Sequence, residues 1–359
     1  MDYSGYSYEI ELIEQLQNSF AKHESTMMYL SQLSDPRNSF LFFFPIVYSL
    51  SRVVGLKVLW AAVISEWVNV ILKWCLFGQR PYWWVQETDV YANGGRPNLK
   101  QFELTCETGP GNPSGHCLVT MAVWFIMMSA LSADLEKTAL KQPAKKPANL
   151  KEEREADKKV VSPAIPWGLL AALAVLVCIS RVFIATHFPH QTLIGVVIGV
   201  IVGIAVDRMD VTKVGLKTYI TVTIFLASAV VGQCLLMQQL GVDPNWTLQL
   251  AAKWCARQEW VHLDTTAFFS IARDLGALFF VGLMQYLPIR PKGVLSSLPM
   301  FLTMVSSVVL SQVLEKIPLQ VDNITLFYIL GGLKYGLILS CVVLINSLFS
   351  YVFVKDKTD

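Results

Sequence analysis

Residues 164–182 read AIPWGLLAALAVLVCISRV, an apolar run whose one charged residue, Arg181, stands next to its end. A helix rises about 1.5 Å per residue, so a run of this length can cross the ~30 Å hydrocarbon core of a bilayer. The stretch therefore predicts a transmembrane helix with a polar end. Taken alone, Arg181 has a plain explanation, since a long basic side chain at a span end reaches the interface.

The rest of the chain repeats this pattern. Hydrophobic residues make up 53% of the 359 residues and charged residues 16%, which is more apolar than a soluble core of this size requires. The expected fold class is therefore all-α: one polytopic membrane domain, 1–359, built as a helical bundle with about nine transmembrane helices. The predicted spans are 38–55, 57–77, 117–133, 164–182, 190–206, 216–237, 267–287, 294–313 and 325–353.

Three short polar islands interrupt the apolar chain. They are Lys73 followed by Arg80-Pro81, then Pro113-Ser114-Gly115-His116, then Ser180-Arg181 followed by His187. Two histidines and three strong cations suit one chemical task. The cations hold a doubly charged phosphate while one imidazole attacks phosphorus and the other protonates the leaving oxygen.

Spacing constrains the local structure of the first two islands. On a helix, Lys73 and Arg80 would lie on one face almost two turns apart, where their long side chains can converge. Ser114 is expected to cap the helix that follows, and Gly115 lets the backbone approach an anion at the helix N-terminus. His116 would then lie within reach of the bridging oxygen.

The third island requires a break in the chain. Arg181 and His187 are six residues apart, and on one continuous helix they would point in roughly opposite directions. Pro189 supplies the break, because the residue before a proline is disfavoured in helical conformation and proline suits the first position of a new helix. We therefore expect His187 to lie between two helices.

In this order the islands resemble the tripartite signature of the type-2 phosphatidic acid phosphatase (PAP2) superfamily. The flanking segments 77–84, 106–111 and 187–191 resemble its glucose-6-phosphatase catalytic subunit branch in particular. The resemblance runs from about Asp35 to the C-terminus, and the chain ends are more similar to the ubiquitous paralogue than to the liver one. It implies a PAP2 core within the helical bundle.

The resemblance also implies a set of roles. His187 would be the nucleophile and His116 the general acid and base, with a phosphohistidine intermediate. Phosphate would be bound by the three cations and the amides of the second island: Lys73, Arg80, Arg181, Ser114 and Gly115. No metal and no cofactor are implied. The expected reaction is hydrolysis of glucose 6-phosphate, or of a closely related hexose or anhydro-sugar 6-phosphate.

Three further residues are supporting candidates. The wider superfamily has an aspartate four residues after its nucleophile, where this chain has Gln191, which can orient His187 only as a neutral partner. Glu66 precedes Lys73 by seven residues, so it can either pair with that lysine or make a structural contact between spans. Asp35 is a candidate for contact with substrate hydroxyls.

Charge and sequons predict the topology. Lys and Arg concentrate in the segments that are cytoplasmic if the N-terminus is luminal, and the largest share lies in a flexible charged loop at 134–163. The N-terminal segment 1–34 and the phosphate-site loop 78–116 would then be luminal. So would the glycosylation candidates Asn245 and Asn323. Cys106 and Cys255 would also be luminal and could pair, and the sequence leaves that pairing open.

The tail 355–359 carries two lysines and resembles a cytoplasmic endoplasmic-reticulum retrieval signal. We therefore predict a multi-pass protein of that membrane with a luminal active site. The expected partners are a sugar phosphate, membrane lipids and a glucose-6-phosphate transporter that supplies the site, and no nucleic acid. Two alternatives stay open: a lipid phosphate phosphatase of the same superfamily, and a phosphate or sugar-phosphate transporter.

Overall fold

The computed structural model describes residues 4–141, 161–286 and 295–354, and within them every regular element is helical. A π-helical segment, Ser39–Phe43, leads into the third helix. The α-helices are α1 (Ser4–Ser19), α2 (Glu24–Leu33), α3 (Phe44–Leu50), α4 (Arg52–Leu76), α5 (Pro81–Glu87), α6 (Gly115–Lys141), α7 (Ile165–Phe183), α8 (Pro189–Asp207), α9 (Leu216–Gln239), α10 (Trp246–Trp254), α11 (Ala267–Met284), α12 (Ser297–Glu315) and α13 (Ile324–Phe353).

Eight helices of the described chain are long and apolar enough to cross a membrane: α4, α6, α7, α8, α9, α11, α12 and α13. The prediction of about nine transmembrane helices is therefore confirmed as an approximate count. The first predicted span, 38–55, contains only a shorter apolar helix, Ser39–Leu50, about 18 Å long. It ends because Ser51 is extended and its hydroxyl caps α4 by accepting a hydrogen bond from the Val54 amide.

The eight long helices alternate in direction, so one end of the bundle collects the ends of α4 and α7 and the starts of α6 and α8. We call this the site end. The N-terminal segment forms two helices, α1 and α2, separated by a 3-10 turn. Gln17 of α1 donates hydrogen bonds to the carbonyls of Lys100 and Phe183, which holds the segment against the site end.

The charged loop predicted at 134–163 begins later than predicted. Helix α6 continues to Lys141, because the residues after Ser132 are mostly strong helix formers, Ala, Leu, Glu and Lys. The Ser132 hydroxyl donates a hydrogen bond to the Pro163 carbonyl at 2.8 Å, which connects α6 to the segment before α7. The rest of the predicted loop and the tail 355–359 lie outside the described residues.

Glycines set the distance between α6 and α8. A Cβ atom on Gly199 would lie 2.3 Å from the Leu118 carbonyl oxygen, and one on Gly195 would lie 2.7 Å from that of Ser114. The two helices thus pack backbone to backbone through a row of small residues spaced by four, which is common in membrane bundles. This close packing fixes the start of α6 against the start of α8.

We predict that Gly199→Ala destabilises the protein by about 1–3 kcal/mol, because the added methyl group must displace the backbone of α6. The measurement is thermal unfolding of the detergent-solubilised protein, together with its catalytic rate. Gly232→Ala in α9 is the matched control, because a Cβ atom there meets nothing within 4 Å. Equal melting temperatures for the two variants would contradict the packing argument.

Candidate active site

The first island does not lie on one helix, contrary to the prediction. Helix α4 ends at Leu76, since Phe77 adopts a left-handed conformation with φ 49°. Arg80 follows in an extended conformation directly before Pro81, the first residue of α5. Lys73 is buried in the last turn of α4 and Arg80 is fully buried in the turn beyond it. The two cations still lie at the same end of the bundle.

Arg80 is held by backbone oxygens. Its Nε donates to the Gly109 carbonyl at 2.7 Å, and its two terminal nitrogens donate to the carbonyls of Thr186 at 3.2 Å and Pro110 at 3.3 Å. These contacts join the first island to the loop before α6 and to the break after α7. The guanidinium is therefore fixed in place before any substrate arrives.

The central residue of the site is Glu107, which the sequence analysis did not assign a role. Its Oε2 lies 3.0 Å from Arg80 Nη2 and 3.8 Å from His187 Nε2. Its Oε1 lies 3.3 Å from His116 Nδ1 and also contacts Arg181 Nη2. One carboxylate thus touches both predicted catalytic histidines and two of the predicted phosphate-binding cations.

Charge keeps Glu107 ionised. Burial alone would raise the pKa of this carboxyl, but the positive charges of Arg181 and Arg80 hold it well below its usual value. The neighbouring Cys106 forms a disulfide with Cys255, which anchors the Glu107 loop to the segment after α10. The pairing that the sequence allowed between these cysteines is therefore present.

Arg181 is buried at the end of α7, as the third island required. Its Nη1 donates to the Ser31 hydroxyl at 2.6 Å, while its Nε has no hydrogen-bond partner in the described part of the chain. A buried guanidinium nitrogen without a partner is unusual and carries a desolvation penalty. An anionic ligand at this position would supply the acceptor that Nε lacks.

His187 lies in the predicted break between α7 and α8 and is fully buried. Its Nδ1 is 2.8 Å from the Gly111 carbonyl oxygen, so Nδ1 carries the proton and Nε2 carries the lone pair. Arg80 Nη1 faces Nε2 at 3.3 Å, as a donor to that lone pair. Burial, followed by the charge of Arg80, holds the pKa of His187 well below its usual value, which keeps the imidazole neutral.

Gln191 supports this arrangement, although it is not the closest partner of the histidine. Its Oε1 lies 3.3 Å from His187 Nδ1 and accepts a hydrogen bond from the Phe188 amide at 3.2 Å. Its Nε2 donates to the Gln79 carbonyl at 2.7 Å. Gln191 thus connects the first and third islands, while the Gly111 carbonyl fixes the tautomer.

The second island differs from its predicted details. The Ser114 hydroxyl does not cap α6, because it is buried without a hydrogen-bond partner among the described residues. The Ser114 amide donates to the Gln191 carbonyl at 3.1 Å instead of facing an anion. Gly115 is required for packing, since a Cβ atom there would lie 2.8 Å from Asn69 Nδ2. His116 does face Glu107, as stated above.

The remaining candidates lie around this centre. Glu66 accepts a hydrogen bond from Asn69 at 3.4 Å, and within the described ranges it makes no ion pair with Lys73. Asp35 pairs with Arg37 and lines the same cavity as His116. Asn245 and Asn323 are exposed at the starts of α10 and α13, both at the site end.

Residues 54–214, which include all three islands, match the PAP2 superfamily. The chain is 38% identical over 337 residues to glucose-6-phosphatase catalytic subunit 1 of Mus musculus, covering 92% of this chain and 90% of the mouse protein. It is 40% identical over 272 residues to glucose-6-phosphatase 2 of Homo sapiens, covering 76% and 73% of the two chains. No solved structure matches significantly.

The chain belongs to the glucose-6-phosphatase catalytic subunit family. As a member of this family it is a multi-pass membrane enzyme of the phosphoric monoester hydrolase class. The family resemblance stated from the three islands is thereby confirmed.

We predict that stability falls as pH drops from 6.5 to 5, because His187 is neutral when folded and takes up a proton when unfolded below about pH 6.5. The slope from this group is at most about 1.4 kcal/mol per pH unit. Melting temperatures in detergent should fall less steeply for His187→Gln than for the wild type. The exposed His23→Gln is the control, and identical slopes for wild type and His187→Gln would contradict the assignment.

Proposed function

We propose that this protein hydrolyses glucose 6-phosphate, or a closely related hexose or anhydro-sugar 6-phosphate, to the sugar and inorganic phosphate. One observation carries the proposal: Arg80, Arg181, His116 and His187 surround a single anionic group, the Glu107 carboxylate. A phosphoryl group is also negatively charged, and it has more oxygens than a carboxylate to accept hydrogen bonds from the same donors. The relatives named above are called glucose-6-phosphatases.

In the proposed reaction the substrate phosphate displaces Glu107 from the two arginines. The lone pair of His187 Nε2 attacks phosphorus, the bond to the sugar oxygen breaks, and His116 gives that oxygen its proton. Water then attacks the phosphohistidine with His116 as base, which breaks the P–N bond and releases phosphate. Lys73, Arg80 and Arg181 stabilise the negative charge on the non-bridging oxygens.

We expect His187→Ala to reduce glucose 6-phosphate hydrolysis to the level of control membranes, because no other group replaces the nucleophile. His116→Ala should lower kcat by about 10²–10⁴, the usual contribution of a general acid. The measurement is phosphate release, with trapping of labelled phosphoenzyme by an alkaline detergent quench, because the P–N bond of phosphohistidine is labile in acid. His187→Ala should trap no label, and the exposed His23→Ala serves as control. Wild-type labelling in His187→Ala would contradict the phosphohistidine.

The proposed displacement of Glu107 leads to a prediction about the affinity for phosphate. Glu107→Gln should bind inorganic phosphate more tightly than the wild type, because a neutral amide competes less well for the arginines than a carboxylate does. A charge-assisted hydrogen bond contributes about 1.5–3 kcal/mol, so the inhibition constant for phosphate should fall at least roughly tenfold.

The inhibition constant can be measured directly, or replaced by the rise in melting temperature that added phosphate causes, if the variant is inactive. The exposed Glu259→Gln is the control. Weaker phosphate binding in a folded Glu107→Gln variant would show that Glu107 only supports the arginines and is not exchanged for substrate.

We further propose that the site end faces the lumen of the endoplasmic reticulum and that the C-terminus is cytoplasmic. The Cys106–Cys255 disulfide supports this orientation, since disulfides persist in oxidising compartments. Asn245 and Asn323 lie at the same end and fit glycosylation there. A luminal site requires a transporter to deliver a cytosolic sugar phosphate, and the surrounding lipids cover the apolar outer faces of the helices.

A further inference from the structure

Beyond the phosphate position lies a cavity of about 430 Å³ that no step of the proposed reaction uses. Its lining includes Glu107, His116 and Arg181 of the site and also Asp35, Arg37 and Asp264. The volume falls within the usual range for small-molecule sites. A substrate whose phosphate replaces Glu107 would extend its organic part into this space.

Hydrogen bonds hold three of these lining residues, Asp35, Arg37 and Asp264, in fixed positions. Arg37 Nε donates to both carboxylate oxygens of Asp35, at 3.0 and 3.1 Å, and Nη2 donates to Asp35 Oδ2 at 2.6 Å. The Nη1 of the same guanidinium donates to Asp264 Oδ2 at 2.8 Å. One planar group thus fixes two carboxylates, and Asp264 lies 227 residues from Arg37 in sequence. We call Asp35, Arg37 and Asp264 the carboxylate clamp.

The clamp has acceptor capacity left over. An ionised carboxylate offers about four lone-pair directions, and Asp264 uses only Oδ2 for Arg37 among the described contacts. Although burial raises the pKa of Asp35, the adjacent Arg37 overcomes this effect and holds it below its usual value, so that carboxylate is ionised. About a third of the Asp264 side chain is exposed, at 34%, which leaves it accessible to a ligand in the cavity.

Of the three island cations, Arg181 lines the cavity. The clamp has two carboxylates and one guanidinium and so carries a net negative charge. A second phosphate or an acidic group would be repelled there, and an acyl chain would leave the remaining carboxylate lone pairs without donors. Hydroxyl groups suit the clamp, because each one donates to a carboxylate and accepts from a guanidinium.

We propose that Asp35, Arg37 and Asp264 form a subsite for sugar hydroxyls, which makes the enzyme select polyol phosphates over phosphate monoesters that lack hydroxyls. This inference rests on the proposed function, because it assigns the organic part of the substrate in the same site. The proposal makes all three clamp residues determinants of substrate specificity. The sequence analysis assigned no role to Arg37 or Asp264.

The test compares two substrates, glucose 6-phosphate and p-nitrophenyl phosphate, with full-length protein in detergent. For Asp264→Asn, the ratio of kcat/KM for the sugar to kcat/KM for the aryl ester should fall at least tenfold, mainly through KM for the sugar. The exposed Asp322→Asn should keep the wild-type ratio. The ratio would stay unchanged in Asp264→Asn if both activities were intact or both fell equally. That result would show that the clamp is only structural and would overturn the subsite.

Deoxy analogues keep the proposal testable even if Asp264→Asn folds poorly. Wild-type kcat/KM should fall at least tenfold for one of the 2-, 3- or 4-deoxyglucose 6-phosphates, and Asp35→Asn or Asp264→Asn should lose part of that discrimination. Equal hydrolysis of all analogues by the wild type would overturn the subsite while leaving the phosphatase proposal intact. If the wild type cleaves only the aryl ester, through His187, the sugar substrate and the subsite both fail.

Discussion

Several cations, buried together at one end of a membrane bundle, require an anion between them. Arg80 and Arg181 are fully buried and Lys73 nearly so, and their mutual repulsion in a low-dielectric environment would oppose folding. Glu107 provides the compensating charge and is bonded to both arginines. In the proposed reaction the substrate phosphate takes the place of this carboxylate.

The proposed exchange of Glu107 for phosphate would account for the many contacts that hold the donors of the site in place. Arg80 is held by three backbone carbonyls, and Gln191 joins the first island to the third. The glycine row of α8 brings the start of α6 close to the start of α8. Because these contacts exist without the substrate, little reorganisation is required when a phosphate replaces the carboxylate, and preorganised donors of this kind are the main source of catalytic stabilisation.

Periodicity and composition were sufficient to predict the helical bundle and eight of the spans. Apolar runs of about 20 residues have few alternatives in a bilayer, where every backbone group must be bonded internally. The break after Arg181 was also predictable, since Pro189 disfavours helix just before it. The islands converge as their chemistry suggested.

Other features depend on contacts between distant segments and left only a weak signal in the sequence. Helix α4 ends at Leu76 because the loop before α6 packs on Gly78, where a Cβ atom would lie 2.4 Å from the Asn112 backbone nitrogen. The Ser114 amide does not face an anion, because it donates to the Gln191 carbonyl. Glu107 is an acidic residue directly before a Gly- and Pro-rich anion loop, and that placement was the available signal for its role.

The presence of Gln191 in place of an acid follows from the same charge balance. A carboxylate at position 191 would add a second buried anion 3.3 Å from His187 Nδ1 and would raise the pKa of the histidine. A protonated imidazole has no lone pair at Nε2 and cannot attack phosphorus. With the neutral Gly111 carbonyl as its closest acceptor, His187 keeps the required tautomer and stays unprotonated. Glu107 already supplies the negative charge that the cations need, so a neutral orienting group preserves both the nucleophile and the affinity of the site for phosphate.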